Sequence, residues 1–208
     1  AHLPVVLNPT TGSTGTQFLN LDAVSWGLEL EAQWSPIDNL LIFASYSYLN
    51  TELKSGCCFV DTADPRALKA GARPTGATLP NGSRPQTLVG NRLPLTPENK
   101  VNLGANYTFE FTPGNLTLGG TYTFTDEQQA VVFAQDGFTS PANEVVDFRA
   151  LWKDGQDRYT IIGYVKNAFD ELAYQDFRTG SPSASGVQRQ TLKPNFPRTY
   201  GVEIQYRF

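Results

Sequence analysis

Few residues in this chain are equipped for covalent chemistry. The only histidine is His2. A serine–histidine–aspartate relay would have to use it, and it lies outside the strand-like segments. The two cysteines are adjacent, Cys57 and Cys58. A metal site needs more ligands at suitable spacing. The pair can form a strained vicinal disulfide, bond elsewhere in the chain or stay as thiols, and an oxidising location favours a disulfide. No phosphate-cradling glycine loop is present. The sequence therefore points to no catalytic residues, no cofactor and no metal.

What remains is charge and aromatic surface. Segment 54–98 carries Lys54, Arg66, Lys69, Arg73, Arg84 and Arg92 against Asp61, Asp64 and Glu98, so it is basic inside a chain of net charge −4. Such a loop can draw in an anionic ligand, but contact with lipopolysaccharide phosphates or plain solvation is the commoner reason for it. The net negative charge gives no field that would favour nucleic acid. Charged residues make up 17% of the chain and aromatic residues 12%. About 25% charged is ordinary for a globular protein. Few charges and many rings suit a surface that faces lipid, and they also suit a large soluble β protein.

The elements that must carry these residues follow from two-residue periodicity. Segment 25–35 places Trp26, Leu28, Leu30, Ala32 and Trp34 on one face and Glu29, Glu31 and Gln33 on the other. Further strands are predicted near 40–53, 100–112, 116–125, 144–153, 158–167 and 198–208. The facing of 158–167 is ambiguous, because Ile161 and Ile162 lie on opposite sides. The last segment alternates without fault, Tyr200, Val202, Ile204, Tyr206 and Phe208 opposing Gly201, Glu203, Gln205 and Arg207. Long connections fall near 54–99, 127–143 and 168–197. Apolar runs such as Leu40–Ala44 are far shorter than the roughly 18 residues of a spanning helix, but a tilted barrel strand spans with about 9–11.

The connections alternate short, long, short, long, short, long. Outer-membrane barrels have this pattern, with short periplasmic turns and longer extracellular loops. The aromatic residues agree with it. Trp34, Phe111, Trp152 and Phe208 fall at the predicted periplasmic ends, and Trp26, Tyr48, Phe124 and Tyr200 near the opposite ends. Two girdles at the two interfaces are what amphipathic rings prefer. The expected fold is all-β, an antiparallel meander of about seven transmembrane strands. Single-chain bacterial barrels nearly always have an even number, and an open sheet edge in hydrocarbon leaves unpaired backbone groups. Residues 3–7 could end a preceding strand, with 8–16 as its loop tip. No signal peptide or initiating Met opens the chain. It reads as a piece of something longer or as a mature product, and the open edge favours the piece.

Four features resemble the C-terminal part of TonB-dependent outer-membrane receptors. Gly27-Leu28-Glu29-Leu30-Glu31 precedes Trp34-Ser35-Pro36 and the return strand Ser45-Tyr46-Ser47-Tyr48. Pro97-Glu98-Asn99-Lys100 opens a strand after a long loop. Val165-Lys166-Asn167-Ala168-Phe169-Asp170 is similar to the family's Asn-Leu-Phe-Asp-type segment. Pro197-Arg198-Thr199-Tyr200-Gly201 leads into a strand ending at Phe208. The resemblance implies a 22-stranded barrel plugged by an N-terminal domain and energised uptake of a scarce, bulky ligand, such as a ferric siderophore, cobalamin or an oligosaccharide. It implies contact with the TonB complex through the plug, which lies outside this chain. It also makes the strand ending at Phe208 the signal for the barrel-assembly machinery, by strand addition to a sheet edge. The lumenal set Glu29, Glu31, Asp147, Arg149, Glu203 and Arg207 would meet the plug, line the ligand path or be solvated. A passive porin-like channel and a soluble extracellular β binding module are the competing readings. A plug domain upstream separates the first from the receptor, and solubility without detergent separates the second.

Overall fold

Alternating apolar and polar residues bounded by turn-forming residues make strands, and strands are the regular elements of the computed structural model among the residues it describes. It describes residues 2–8, 13–61, 85–133, 139–180 and 189–208. Arg66, Lys69, Arg73 and Arg84 lie outside the described residues. The strands are β1 (His2–Asn8), β2 (Ser13–Phe18), β3 (Ala23–Trp34), β4 (Leu40–Leu53), β5 (Asn99–Phe111), β6 (Gly114–Thr125), β7 (Gln128–Gln129), β8 (Thr139–Ser140), β9 (Asn143–Asp154), β10 (Tyr159–Lys166), β11 (Tyr174–Gly180), β12 (Arg189–Pro194) and β13 (Thr199–Tyr206).

Seven of them form one antiparallel sheet in the order β13-β10-β9-β6-β5-β4-β3. It is a meander: each strand pairs with its neighbour in sequence, apart from short hairpins set into the long connections. The short connections are tight turns with local reasons. Asn39 closes the β3–β4 turn at a φ of 64°, which Asn tolerates better than most residues. Thr112 and Pro113 turn β5 into β6, and Gly114 at the first position of β6 has a φ of 152°. The tightest part of this turn therefore comes one residue earlier than the composition of Pro113-Gly114-Asn115 suggests. In the β9–β10 turn the Tyr159 amide donates to Asp154 Oδ1 at 2.7 Å, and Lys153 pairs with Asp157 at 2.8 Å.

Directly opposed residues in a sheet share a face, so the register sorts every side chain. One continuous rung runs Trp34, Ile42, Ala105, Gly120, Phe148, Val165 and Tyr200 across all seven strands. Another runs Phe109, Leu116, Trp152, Ile161 and Ile204. These rungs resolve the facing of β10. Tyr159, Ile161, Gly163 and Val165 share the apolar face, and Ile162 lies on the other, opposite Leu151 and Glu203. Pattern alone could not decide this, because the two isoleucines are equally apolar.

The first rung also measures the shear. Trp34 ends β3, yet its rung meets β13 at Tyr200, eight residues before Phe208, over the six steps between seven strands. At about 3.3 Å per residue and about 4.8 Å per strand, that climb corresponds to a tilt of roughly 40°, within the range of closed barrels. Among the described residues, β3 and β13 each have a neighbour on one side only.

Three hairpins stand beyond the long-connection end of the sheet. β1 pairs with β2, β7 with β8, and β11 with β12. Segments 127–143 and 168–197, which read as loops, thus carry paired strands. Their polar, irregular composition lacks the alternation that marks a strand with one buried face. The buried apolar cluster also sits at this end. Leu53, Leu88 and Phe133 are its centre, with Leu19, Leu21, Phe59, Leu93, Val131 and Val132 packed around them. Segments distant in sequence thereby form one compact rim above the strands.

Candidate functional site: an apolar sheet face below a packed rim

The apolar face is exposed as a whole rather than as scattered residues. Leu28, Leu30, Leu103, Leu118, Phe148, Val202 and Ile204 are all exposed large hydrophobic residues. A contiguous apolar surface of this extent marks contact with a membrane or a partner. Its aromatic residues touch at the two ends of the strands. At the short-turn end Tyr107, Phe109, Phe111 and Trp152 follow one another at ring separations of 4.6, 6.4 and 6.1 Å. Phe111 and Trp152 meet across β6 because Gly114 stands between them without a side chain. Tyr159, Tyr206 and Phe208 make a second string at 4.9 and 5.0 Å. At the other end the rings of Trp26 and Tyr48 lie 5.3 Å apart. Trp34 is exposed on the outermost strand, and Phe124 is half-buried opposite Val101 and Glu144.

The opposite face is mainly polar. Glu29, Ser47 and Lys100 share one rung, and Glu31, Ser45, Asn102 and Thr123 the next, so these residues line a shallow groove. Lower down, Thr108 and Thr117 exchange a hydrogen bond of 2.9 Å. Aromatic rings on this face cover glycines of neighbouring strands: Phe43 lies over Gly104 and Tyr164 over Gly201. A side chain at either glycine would displace the ring, so the two residues of each pair act as one packing unit. Arg149 and Glu203 lie on this face by register, and Asp147 accepts from the Asn167 amide at 2.7 Å.

The rim is held by directed bonds as well as by packing. The Leu53 amide donates to Asn91 O, and the Gly90 amide to Leu53 O. Phe59 and Gln86 form a two-way backbone bridge. Cys57 and Cys58, exposed on the same segment, are joined as a disulfide. Arg92 pairs with Glu98 at 3.3 Å and donates to Thr96 O at 3.2 Å. Its charge is thus partly occupied within the rim. Tyr46 Oη donates to Asn99 Oδ1 at 2.8 Å, and Asn99 Nδ2 to Asp126 Oδ2 at 2.8 Å. The Asn99 bond holds the Asp126 carboxyl below the usual range. The Glu127 amide and the Arg92 charge act in the same sense, against a desolvation that raises it.

A second knot closes the end of β10 against the start of β13. Asn167 is 4% exposed, at a φ of 51°. Its Nδ2 donates to Glu171 O and Phe196 O, and its Oδ1 accepts from the Glu171 amide. Asp170 Oδ1 accepts from the Arg198 amide at 2.7 Å. Asn195 Oδ1 accepts from the Ala173 amide. Two motifs that are far apart in the chain, 165–170 and 197–201, are therefore neighbours. Sequence spacing shows only that Asn and Asp tolerate a strand exit. That they hold the β11–β12 hairpin at its base depends on the tertiary pairing of β10 with β13.

Tyr200, Val202, Ile204, Tyr206 and Phe208, to which the family resemblance assigns a role in assembly, all lie on the apolar side of β13, which has one neighbour among the described residues, or just beyond it. Among the described residues no group of three His, Cys, Asp or Glu side chains could hold a metal ion.

Known structures share this architecture. The ferric yersiniabactin uptake receptor FyuA from Yersinia pestis matches with a TM-score of 0.65 at 17% identity, over 89% of this chain and 24% of that one. BauA, the ferric preacinetobactin receptor from Acinetobacter baumannii, matches with 0.62 at 17% identity, over 99% and 25%. The ferric citrate transporter FecA in its unliganded form matches with 0.58 at 21% identity, over 97% and 26%. At these identities the likeness shows the fold. The chain spans about a quarter of the length of each of these proteins. No curated protein matches this chain. The model of the TonB dependent receptor-like β-barrel family matches residues 4–168, most of the sheet included, and this chain belongs to that family, one of receptor barrels and not of enzymes.

Proposed function

We propose that this chain is the closing part of a 22-stranded, TonB-dependent receptor in a Gram-negative outer membrane, which takes up a ferric siderophore or similarly bulky iron chelate. The observation that carries the reading is the sheared seven-stranded meander with one continuous apolar face, together with the family match. The relatives in fold named above are receptors or transporters of ferric chelates, which favours that ligand class over cobalamin or an oligosaccharide.

In this reading lipid covers the apolar face, and the two strings of rings near Phe111 and Phe208 sit at the periplasmic interface. The polar face lines the lumen, where the groove at Glu29, Glu31 and Lys100 meets the plug. The free edge of β13 pairs first with the assembly machinery and then with the first strand of the barrel. The rim that includes Arg92 faces outward and frames the ligand's approach. Energy comes from the TonB complex acting on the plug, because a barrel alone offers no coupling to the inner membrane.

The test is uptake by the full-length receptor in an outer-membrane strain lacking other iron receptors. Accumulation of an iron-labelled chelate that requires both TonB and the proton gradient supports the reading. Accumulation that persists without TonB points to a passive channel instead.

A further inference from the structure

Exposure along the apolar face depends on the number of neighbouring strands. Inside the sheet, with a strand on each side, Leu118 is 44% exposed and Phe148 48%. On β13, which has one neighbour among the described residues, Val202 rises to 71% and Ile204 to 70%. Phe169 at 74% and Phe196 at 79% match the edge and not the interior. Yet neither belongs to a strand of the sheet. Both stand in the Asn167 knot, beyond Lys166 and Thr199, the last rung between β10 and β13. Leu172 in the same knot is exposed as well. The knot fixes where these side chains are offered. Asn167 Nδ2 donates to Glu171 O and Phe196 O, and Asp170 Oδ1 accepts from the Arg198 amide. Phe169, Leu172 and Phe196 thus make a preformed apolar shelf at the start of β13.

The rest of this end of the molecule packs its apolar residues together, as around Leu53, Leu88 and Phe133. A cluster of exposed rings here marks a surface that the assembled molecule covers. Chain direction says with what. The sheet is antiparallel throughout, and β13 runs from Thr199, at the long-connection end, to Tyr206. A strand added to its open side in the same manner runs the opposite way and leaves the sheet beside Thr199. The residues that follow it pass along the line of Asn195, Phe196 and Pro197. Backbone pairing ends at the last rung, so only side chains can continue the contact onto the shelf.

We infer that the shelf of Phe169, Leu172 and Phe196 is a latch on the barrel seam. It packs against apolar side chains at the outward end of the first barrel strand and at the start of the loop after it, a segment of the full-length receptor outside this chain. The inference rests on the proposed closure of β13 onto that strand and adds a side-chain contact beyond the last backbone pair. The test uses the full-length receptor in outer-membrane vesicles. The photo-crosslinker p-benzoylphenylalanine is placed at position 169, 196 or 202, one at a time, and the adducts are mapped by mass spectrometry. Probes at 169 and 196 are expected to mark the peptide that holds the end of the first strand and the start of its loop. Adducts there with lipid, the plug or another protein overturn the latch, as does no adduct with that peptide when the probe at 202 marks the first strand. No adduct with the first strand from any of the three positions rejects the closure beneath it. The second measurement is hydrogen exchange. The variant F169S/F196S keeps the knot, whose bond to Phe196 uses the backbone. It is expected to speed exchange of the β13 amides about tenfold and to leave β5 and β6 unchanged. Unchanged exchange in β13, in a variant that assembles as a heat-modifiable barrel, overturns the inference. If the double variant does not assemble, F196S alone gives the same reading at smaller amplitude.

Discussion

The sheet and the rim above it are held together in different ways. In the sheet, strand after strand is paired along its length, yet most side chains of β3 and β13 are exposed. Its order comes from the backbone ladder, and its apolar face is left for a solvent that is not water. The rim has few paired strands, but it contains Leu53, Leu88 and Phe133, at most 5% exposed, and a dense set of side-chain bonds around Arg92, Asn99 and Asp126. There the water-driven burial of apolar groups does the work that hydrogen-bonded strands do below. One chain thus uses soluble-protein packing outside the apolar band and ladder closure within it.

Substitutions that strike one region and spare the other sharpen this contrast. The largest effect is expected for Phe133→Ala, which leaves a cavity in the rim at a cost of about 3–5 kcal/mol. Native-state hydrogen exchange of the full-length receptor should show protection lost around 53–60 and 86–93, with β9 and β10 unchanged. Equal loss in the sheet would mean the two regions unfold as one unit. Leu118→Arg puts a charge in the middle of the apolar face, between Tyr107 and Ala150. It is expected to cost about 2–4 kcal/mol in bilayers, read from urea unfolding of the receptor in vesicles. A neutral result there, in a receptor that has inserted, would place this face away from lipid.

Asn167→Ala removes the three side-chain bonds that the buried Asn167 makes to the backbones of Glu171 and Phe196, at about 1–3 kcal/mol. Faster exchange confined to 167–173 and 195–199 is the expected signature, and a spread along β10 would show that the knot supports the strand too. The smallest effect is the titration of Asp126. Its folded pKa is lowered, so its contribution is present above the ordinary carboxylate range and is lost as pH falls through the lowered value. Exchange near Asn99 should rise on acidification below about pH 4, and Asp126→Asn should abolish that dependence.

Much of the sheet was legible in the residues. The alternation of Trp26 to Trp34, of Val101 to Phe111 and of Tyr200 to Phe208 shows which residues share a face, since a strand has no other period. The turns at Asn39, Pro113 and Asp154–Asp157 were legible from their composition. The rim was not. Leu88 and Phe133 come from segments without periodicity, where nothing local marks an apolar residue as buried, and Leu53 ends β4, where alternation alone does not show that it packs against them. Arg92 reads as one loop cation among several, and its pairing with Glu98 emerges only when the loop folds back on Thr96. The β11–β12 hairpin was hidden for a different reason, because Tyr174–Gly180 and Arg189–Pro194 lack a two-residue apolar alternation.

By itself, then, the sequence determined the strands, their amphipathic faces and the alternation of short and long connections, because these depend on neighbours two residues apart. The tertiary structure decided the register, the shear, the facing of Ile161 against Ile162 and the meeting of Asn167 with Phe196. Those depend on which strand lies beside which, and a two-residue period repeats identically at every even shift. Only the whole set of turns, glycine-covering rings and knots selects one alignment among the many that the pattern allows.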